Sequence, residues 1–171
     1  MPLTLVTGGA RSGKSRYALA LAESLGPERV FIATAEAWDE EMADRIRRHQ
    51  AERGPGWTTL EAPVDVAPLL SQPGRPVVVD CLTLWLGNLL HQRGPEADLR
   101  PDTEALLAAA IAAPNPVLFV TNEVGMGIVP DNALARRFRD ETGWLAQAIA
   151  ARAERVVLCV AGLPLALKGS P

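Results

Sequence analysis

The sequence predicts an α/β protein of three layers, a mostly parallel central sheet with helices on both faces. Three observations carry that expectation. Short apolar runs alternate along the chain with segments of helical spacing. One run, Val77-Val78-Val79, is apolar throughout, as a strand covered on both faces is. The first run ends in a glycine-rich stretch that opens a helix, an order expected where a parallel sheet receives ligands beyond the carboxyl ends of its strands.

Residues 3–7 form the first strand, and residues 14–25 follow as a helix with Tyr17, Leu21 and Leu25 on one face. Residues 29–34 give a second strand. Residues 40–53 read as a polar helix on which Met42, Ile46 and His49 share a face. A short helix at 64–70 precedes the Pro73-Gly74-Arg75-Pro76 turn and the strand that ends in Asp80. Residues 81–91 are helical, 93–102 form an exposed loop, and 103–113 a further helix. Residues 116–121 are the fourth strand, leading into the irregular Asn122–Pro130 segment with its Gly125 and Gly127. Asp131 or Asn132 caps a long helix whose apolar stripe is Leu134, Phe138, Leu145 and Ile149. Residues 155–160 are a fifth strand and 163–167 offer a sixth.

The chain of 171 residues suits one domain, residues 1–171, able to bury roughly 70% of its unfolded surface. Seventeen Lys and Arg against 20 Asp and Glu provide no broad basic field, so nucleic acid is not an expected partner. Cys81 and Cys159 stand in separate apolar runs without C-x-x-C spacing, which suits small core residues in a reducing compartment. No apolar run approaches membrane-spanning length, and the start lacks a charged leader, so the expected location is the cytoplasm.

Gly8-Gly9-Ala10-Arg11-Ser12-Gly13-Lys14-Ser15 spells G-x-x-x-x-G-K-S between strand and helix, the pattern of a phosphate-binding loop. Gly8 and Gly13 let the backbone approach closely, so that amide N–H groups and the helix N-terminus meet phosphate oxygens. Lys14 reaches the β- and γ-phosphates, and the Ser15 hydroxyl is suited to Mg²⁺. Asp80, closing its apolar strand, is placed as the acid that holds the metal directly or through water, with Glu123 at the next strand end a rival.

A histidine beside Ile46 on a half-apolar helix is more often a packed side chain than a catalyst, so His49 alone points nowhere. Its setting does. The stretch from Asp39 to Arg53 with Trp57-Thr58-Thr59-Leu60-Glu61 after it, the phosphate loop, Ile32-Ala33-Thr34-Ala35, Val79-Asp80-Cys81-Leu82-Thr83-Leu84-Trp85, Thr121-Asn122-Glu123-Val124-Gly125 through Ile128-Val129-Pro130, and Phe138-Arg139-Asp140 together resemble one family. This is the bifunctional adenosylcobinamide kinase/adenosylcobinamide-phosphate guanylyltransferase family of cobalamin biosynthesis, and the resemblance runs over nearly the whole chain.

The resemblance implies a RecA-like phosphate-loop NTPase fold and two reactions on one corrinoid side chain. ATP or GTP phosphorylates the aminopropanol hydroxyl of adenosylcobinamide; GMP from GTP is then joined to that phosphate, releasing pyrophosphate, through a guanylylated histidine that His49 matches. It further implies that Ala33, Thr34, Ala35, Gln50, Ala51, Glu52, Arg53, Glu61 and Asp80 line the guanine nucleotide site, with Glu61 accepting from the guanine N1 and amino group. Mg²⁺ on Ser15 and Asp80, and a homotrimer, are expected on the same ground. His49 and the phosphate loop lie on different elements, so the His49 helix is expected to move inward when GTP binds. Arg45 and Arg53, one turn either side of His49, are placed to neutralise α-phosphate charge; Arg136, Arg137 and Arg139 either assist or are solvated. Trp38, Trp57, Trp85 and Trp144 read as packing residues before corrinoid contacts. The rival readings are a simple phosphate-loop kinase in which His49 is structural, a recombinase-type nucleotide-driven module, and a non-enzymatic nucleotide sensor.

Overall fold

The structure, a computed structural model, describes residues 2–36, 40 and 53–170. Among the described residues seven strands form one sheet: β1 (Leu3–Gly8), β2 (Arg29–Ala33), β3 (Trp57–Glu61), β4 (Val77–Asp80), β5 (Val117–Val120), β6 (Arg155–Val160) and β7 (Leu163–Lys168). Their spatial order is β3-β2-β4-β5-β1-β6-β7. Every neighbouring pair is parallel except β6 and β7, which form an antiparallel hairpin at one edge.

Because side chains alternate across a strand, each strand feeds two cores. Leu3, Leu5, Val30, Ile32, Val77, Val79, Val117, Phe119 and Val156 face one side, where they pack with α2 (Leu82–Arg93), α3 (Arg100–Ala112) and α4 (Ala133–Arg152). Val6, Phe31, Ala33, Val78, Leu118, Val120, Val157 and Cys159 face the other, with Ala18 and Ala22 of α1 (Lys14–Leu25). This is the three-layer arrangement the sequence predicts. Phe119, fully buried, sits in the larger core; cutting it to alanine costs about 3–5 kcal/mol.

The strand β3 was not among the sequence expectations. Trp57-Thr58-Thr59-Leu60-Glu61 is β-branched and aromatic enough to extend, yet it lies at the sheet edge and mixes polar with apolar residues, so no buried run marks it. Arg29 holds it in place, donating to the carbonyls of Gly26 and Pro55 while its guanidinium lies 5.1 Å from the Trp57 ring centre. The helix expected at 64–70 is a single 3₁₀ turn, Ala67–Leu69. The loop expected at 93–102 ends sooner, because α3 starts at Arg100 with Pro101 in its first turn, where a missing N–H costs nothing. Within that loop Leu99 is fully buried and acts as an anchor. Of the two cap candidates for α4, Asn132 is the cap: its side chain accepts from the Ala135 N–H at 3.1 Å.

Parallel strands give the sheet two unlike edges. At the amino-end edge the Glu154 N–H donates to the Leu3 carbonyl, and Pro2, Thr4, Leu25, Glu154, Arg155, Gly169 and Ser170 line a shallow cavity. The phosphate-loop motif leaves β1 at the opposite edge.

Candidate active site

The Gly8–Ser15 loop joins β1 to α1 at the carboxyl-end edge. Gly8 has φ +148°, and a Cβ there would lie 2.4 Å from the Cys159 carbonyl oxygen and 2.7 Å from Ser12 Oγ, so only glycine fits. Gly13, at φ +96°, is the N-cap of α1 and supplies no side-chain hydrogen bond to the first turn. The first-turn N–H groups are therefore left for a ligand, and no acidic residue stands there to compete with an anion. Ser12 Oγ is buried without a hydrogen-bond partner, a further donor inside the loop.

Lys14 is 7% exposed, and its Nζ donates to the Gly9 carbonyl at 2.6 Å, folded back over the loop. Burial lowers its pKa below the ordinary lysine value, while the charge of Asp80 opposes that shift. Ser15 follows on α1, half-buried.

Asp80 ends β4 and pairs with Ala33 of β2 on one side and Val120 of β5 on the other. Ala33 in turn pairs with Glu61, and Val120 with Val6. Glu61, Ala33, Asp80, Val120 and Val6 thus form one row across five strands, about 19 Å long at strand spacing. Val6, Ala33 and Val120 of that row belong to the core on the α1 face. The row has an exposed carboxylate at one end, a second carboxylate in the middle and the phosphate loop just beyond the other end.

Arg53 joins the same face. Its guanidinium lies 3.9 Å from the Phe31 ring centre and donates to Thr59 Oγ1 at 3.1 Å. Burial lowers its pKa, and Asp80 opposes the shift. Asp80 therefore acts electrostatically on two cations, Lys14 from the loop and Arg53 from the other side.

The exits of β2, β4 and β5 are tied together. Thr34 Oγ1 donates to the Cys81 carbonyl and accepts from the Cys81 N–H, both at 2.8 Å. Asn88 Nδ2 donates to the carbonyls of Thr34 and Pro63. Cys81 Sγ lies 3.0 Å from Thr83 Oγ1, which accepts from Asn122 Nδ2 at 2.8 Å. Burial raises the Cys81 thiol above its usual pKa, which keeps it protonated. Thr34 and Thr83 thus fix the backbone on which Asp80 stands, a positioning role that sequence reasoning did not assign to Thr83 or Asn122.

Glu123, the rival acid, stands where β5 leaves the sheet. Its N–H donates to the Gly8 carbonyl at 2.9 Å, and its carboxylate accepts from the Gly125 N–H. Among the arginines of α4, Arg136 donates to the carbonyls of Pro130 and Asp131, Arg137 to those of Pro95 and Ala97, and Arg139 pairs with Asp140. All three serve the helix and its neighbouring loops. Trp85 is core, donating to the Val64 carbonyl at 2.7 Å. His49, Gln50, Ala51 and Glu52, with Arg45 and Trp38, lie outside the described residues. Among the described residues no three His, Cys, Asp or Glu side chains form a metal cage.

A glycine loop at a helix N-terminus, a buried lysine and an acid at the end of β4, one strand removed from β1, define a phosphate-loop nucleotide-binding protein. Solved structures share the fold: the RadB recombinase superposes with TM-score 0.54 at 15% identity, over 92% of this chain and 73% of RadB. The flagellar accessory protein FlaH of Methanocaldococcus jannaschii does so with TM-score 0.53 at 11% identity, over 99% and 79%. At such identities the likeness is one of fold. Within that class, residues 4–167 match the cobinamide kinase/cobinamide phosphate guanyltransferase family, and the chain belongs to it. It is similar to the bifunctional adenosylcobalamin biosynthesis protein CobP of Pseudomonas aeruginosa, 51% identical over 98% of both chains. The corresponding CobU of Salmonella typhimurium is 40% identical over 97% of this chain and 99% of its own.

Proposed function

We propose that this chain, as one domain, performs both reactions of its family's name on one corrinoid side chain. In the first, the aminopropanol hydroxyl of adenosylcobinamide attacks the γ-phosphorus of ATP or GTP, and the nucleoside diphosphate leaves. In the second, a ring nitrogen of His49 attacks the α-phosphorus of GTP, pyrophosphate leaves, and the cobinamide phosphate displaces histidine from the phosphoramidate to give adenosylcobinamide-GDP. One hard transfer becomes two easier ones. The observation that carries the reading is the buried Lys14 over an amide-lined loop, in a chain matched along nearly its whole length by that family.

Lys14 exchanges its bond to the Gly9 carbonyl for the triphosphate, where its charge offsets that developing on the leaving phosphates. Ser12 Oγ and the amides of the loop add donors. Ser15 and Asp80 are hard oxygen donors suited to Mg²⁺, which binds through one or two protein oxygens plus phosphates and water, so the absence of a larger acidic cluster among the described residues fits. Bound there, the metal supplies charge neutralisation on the phosphates. Arg53, held between Phe31 and Thr59, offers a second cation beside Asp80. The row from Glu61 to the loop supports Glu61 as the guanine acceptor, with Ala33 and Ala35 beneath the nucleotide, while Thr34 contributes by holding Cys81. Gln50, Ala51 and Glu52 complete the site on the grounds of the resemblance.

The same reading places the enzyme in the cytoplasm as a homotrimer acting on a corrinoid without nucleic acid. No helix among the described residues is long and apolar enough to cross a membrane. Leu163, Leu165 and Leu167 of β7 and Trp144 of α4 are exposed and offer an apolar surface for contact between copies.

The test is incubation with GTP labelled at the α-phosphate, followed by denaturation. Acid-labile, base-stable label is expected on the protein and should vanish in His49→Ala while phosphorylation of cobinamide persists. Label undiminished in that variant would move the covalent step off His49, and no label on the parent protein would leave a simple kinase.

A further inference from the structure

The β6–β7 hairpin turns through Ala161 and Gly162, between the paired Val160 and Leu163. Both turn residues have positive φ, 51° and 81°, the geometry of a type I′ turn whose twist matches the strands. The turn reaches the phosphate loop: the Gly162 N–H donates to the Ser12 carbonyl at 3.0 Å. A Cβ on Gly13 would lie 3.1 Å from Gly162 Cα, so the two glycines meet backbone to backbone. Arg16 lies over this seam, its Nη2 3.0 Å from where a Cβ on Gly162 would stand.

The Ser12–Gly13 peptide is trans, so its C=O and N–H point in opposite directions. Holding the Ser12 carbonyl toward the hairpin therefore turns the Gly13 N–H away from it. On the other flank the Glu123 N–H holds the Gly8 carbonyl, which orients the Gly9 N–H in the same manner. The loop is thus pinned from both neighbouring strand exits at carbonyls that a phosphate would repel, leaving the next amides free for the anion.

We propose that the β6–β7 turn presets the phosphate loop, and that Gly162 is a positioning residue for nucleotide binding although it lies outside the G-x-x-x-x-G-K-S motif. This rests on the reading that the Gly8–Ser15 loop receives the triphosphate. Gly162 suits this place because its φ is left-handed, and a side chain there would also displace the Arg16 guanidinium lying over the seam. Gly169 is a matched control at the far end of β7, with φ +72° and a Cβ position 2.6 Å from the Glu154 carbonyl oxygen, remote from the loop.

The experiment measures affinity for Mg²⁺ with a non-hydrolysable GTP analogue, together with thermal stability, in Gly162→Ala, Gly169→Ala and Lys14→Ala. Gly162→Ala is expected to weaken affinity about tenfold at a temperature where it is folded, since small displacements of positioning groups are costly. Gly169→Ala should lose stability while its affinity stays within about twofold of the parent, as distant sites act independently. Parental affinity in folded Gly162→Ala, or an equal loss in Gly169→Ala, overturns the proposal. If Gly162→Ala does not fold, amide exchange on the unsubstituted protein decides: the Gly162 N–H should exchange more slowly once nucleotide binds, and unchanged exchange overturns the proposal. Full affinity in Lys14→Ala would instead show that the loop is not the triphosphate site.

Discussion

Thr34 and Cys81, 47 residues apart, exchange two 2.8 Å hydrogen bonds through a single hydroxyl, which donates to the Cys81 carbonyl and accepts from its N–H. The Cys81 carbonyl also accepts from the Trp85 N–H at 3.1 Å, so losing the hydroxyl of the fully buried Thr34 leaves the Cys81 N–H as the group that loses its partner. Thr34→Val keeps the shape and strands the Cys81 N–H. It should cost about 1–3 kcal/mol for that one buried donor, read as a lowered midpoint in urea unfolding. Thr34→Ser should recover most of the loss.

Asp80 and Glu123 are separable by substitution. Asp80 acts on Lys14 and Arg53, whereas the Glu123 carboxylate is engaged with the Gly125 N–H. Asp80→Asn should lower kcat for both transfers by about 10²-fold or more, the scale on which electrostatic groups act in phosphoryl transfer. Glu123→Gln should reduce kcat by about tenfold or less, because the amide retains an acceptor for Gly125. Steady-state rates at saturating Mg²⁺ compare them, and the reverse ranking would move the metal-associated role to Glu123.

Lys14→Ala should remove most of both activities, about 10²-fold or more in kcat/KM, since no other described side chain bonds across the loop to Gly9. A variant with undiminished phosphorylation of cobinamide would displace the phosphoryl site from this loop.

The buried ammonium also sets a pH dependence. The pKa of Lys14 is lowered in the folded protein, so as pH rises the folded state releases this proton before the unfolded state does. In the window below 10.5, the unfolded state binds more protons, and stability attributable to Lys14 rises with pH. The unfolding free energy of the unsubstituted protein, relative to that of Lys14→Met, should therefore increase as pH climbs toward the ordinary lysine value. Urea titrations at several alkaline pH values measure the difference; a difference that falls with pH contradicts the burial argument.

What the sequence made legible was what depends on local pattern. The loop, α1 with its residue limits, and the strand ending in Asp80 are each announced by neighbouring residues. The edge strand β3 escapes the sequence pattern because three of its five residues are polar, and the start of α3 escapes it because Pro101 punctuates loops as readily as it occupies a helix's first turn. The row joining Glu61 to Asp80, the bond between Gly162 and Ser12, and Arg53 over Phe31 depend on which strands become neighbours. No residue reveals that by itself. The family resemblance names Glu61 and Arg53 as expected site residues, and no motif marks Gly162.

The amino-end edge, where Pro2 and Ser170 line the same shallow cavity, divides the molecule's handling from its chemistry. A short flexible linker there could join residues 2 and 170 and let new ends be opened elsewhere, or an anchor there could hold the enzyme to a surface. Either way the tether would run from the edge opposite the phosphate loop, leaving the side that must admit a bulky corrinoid facing outward.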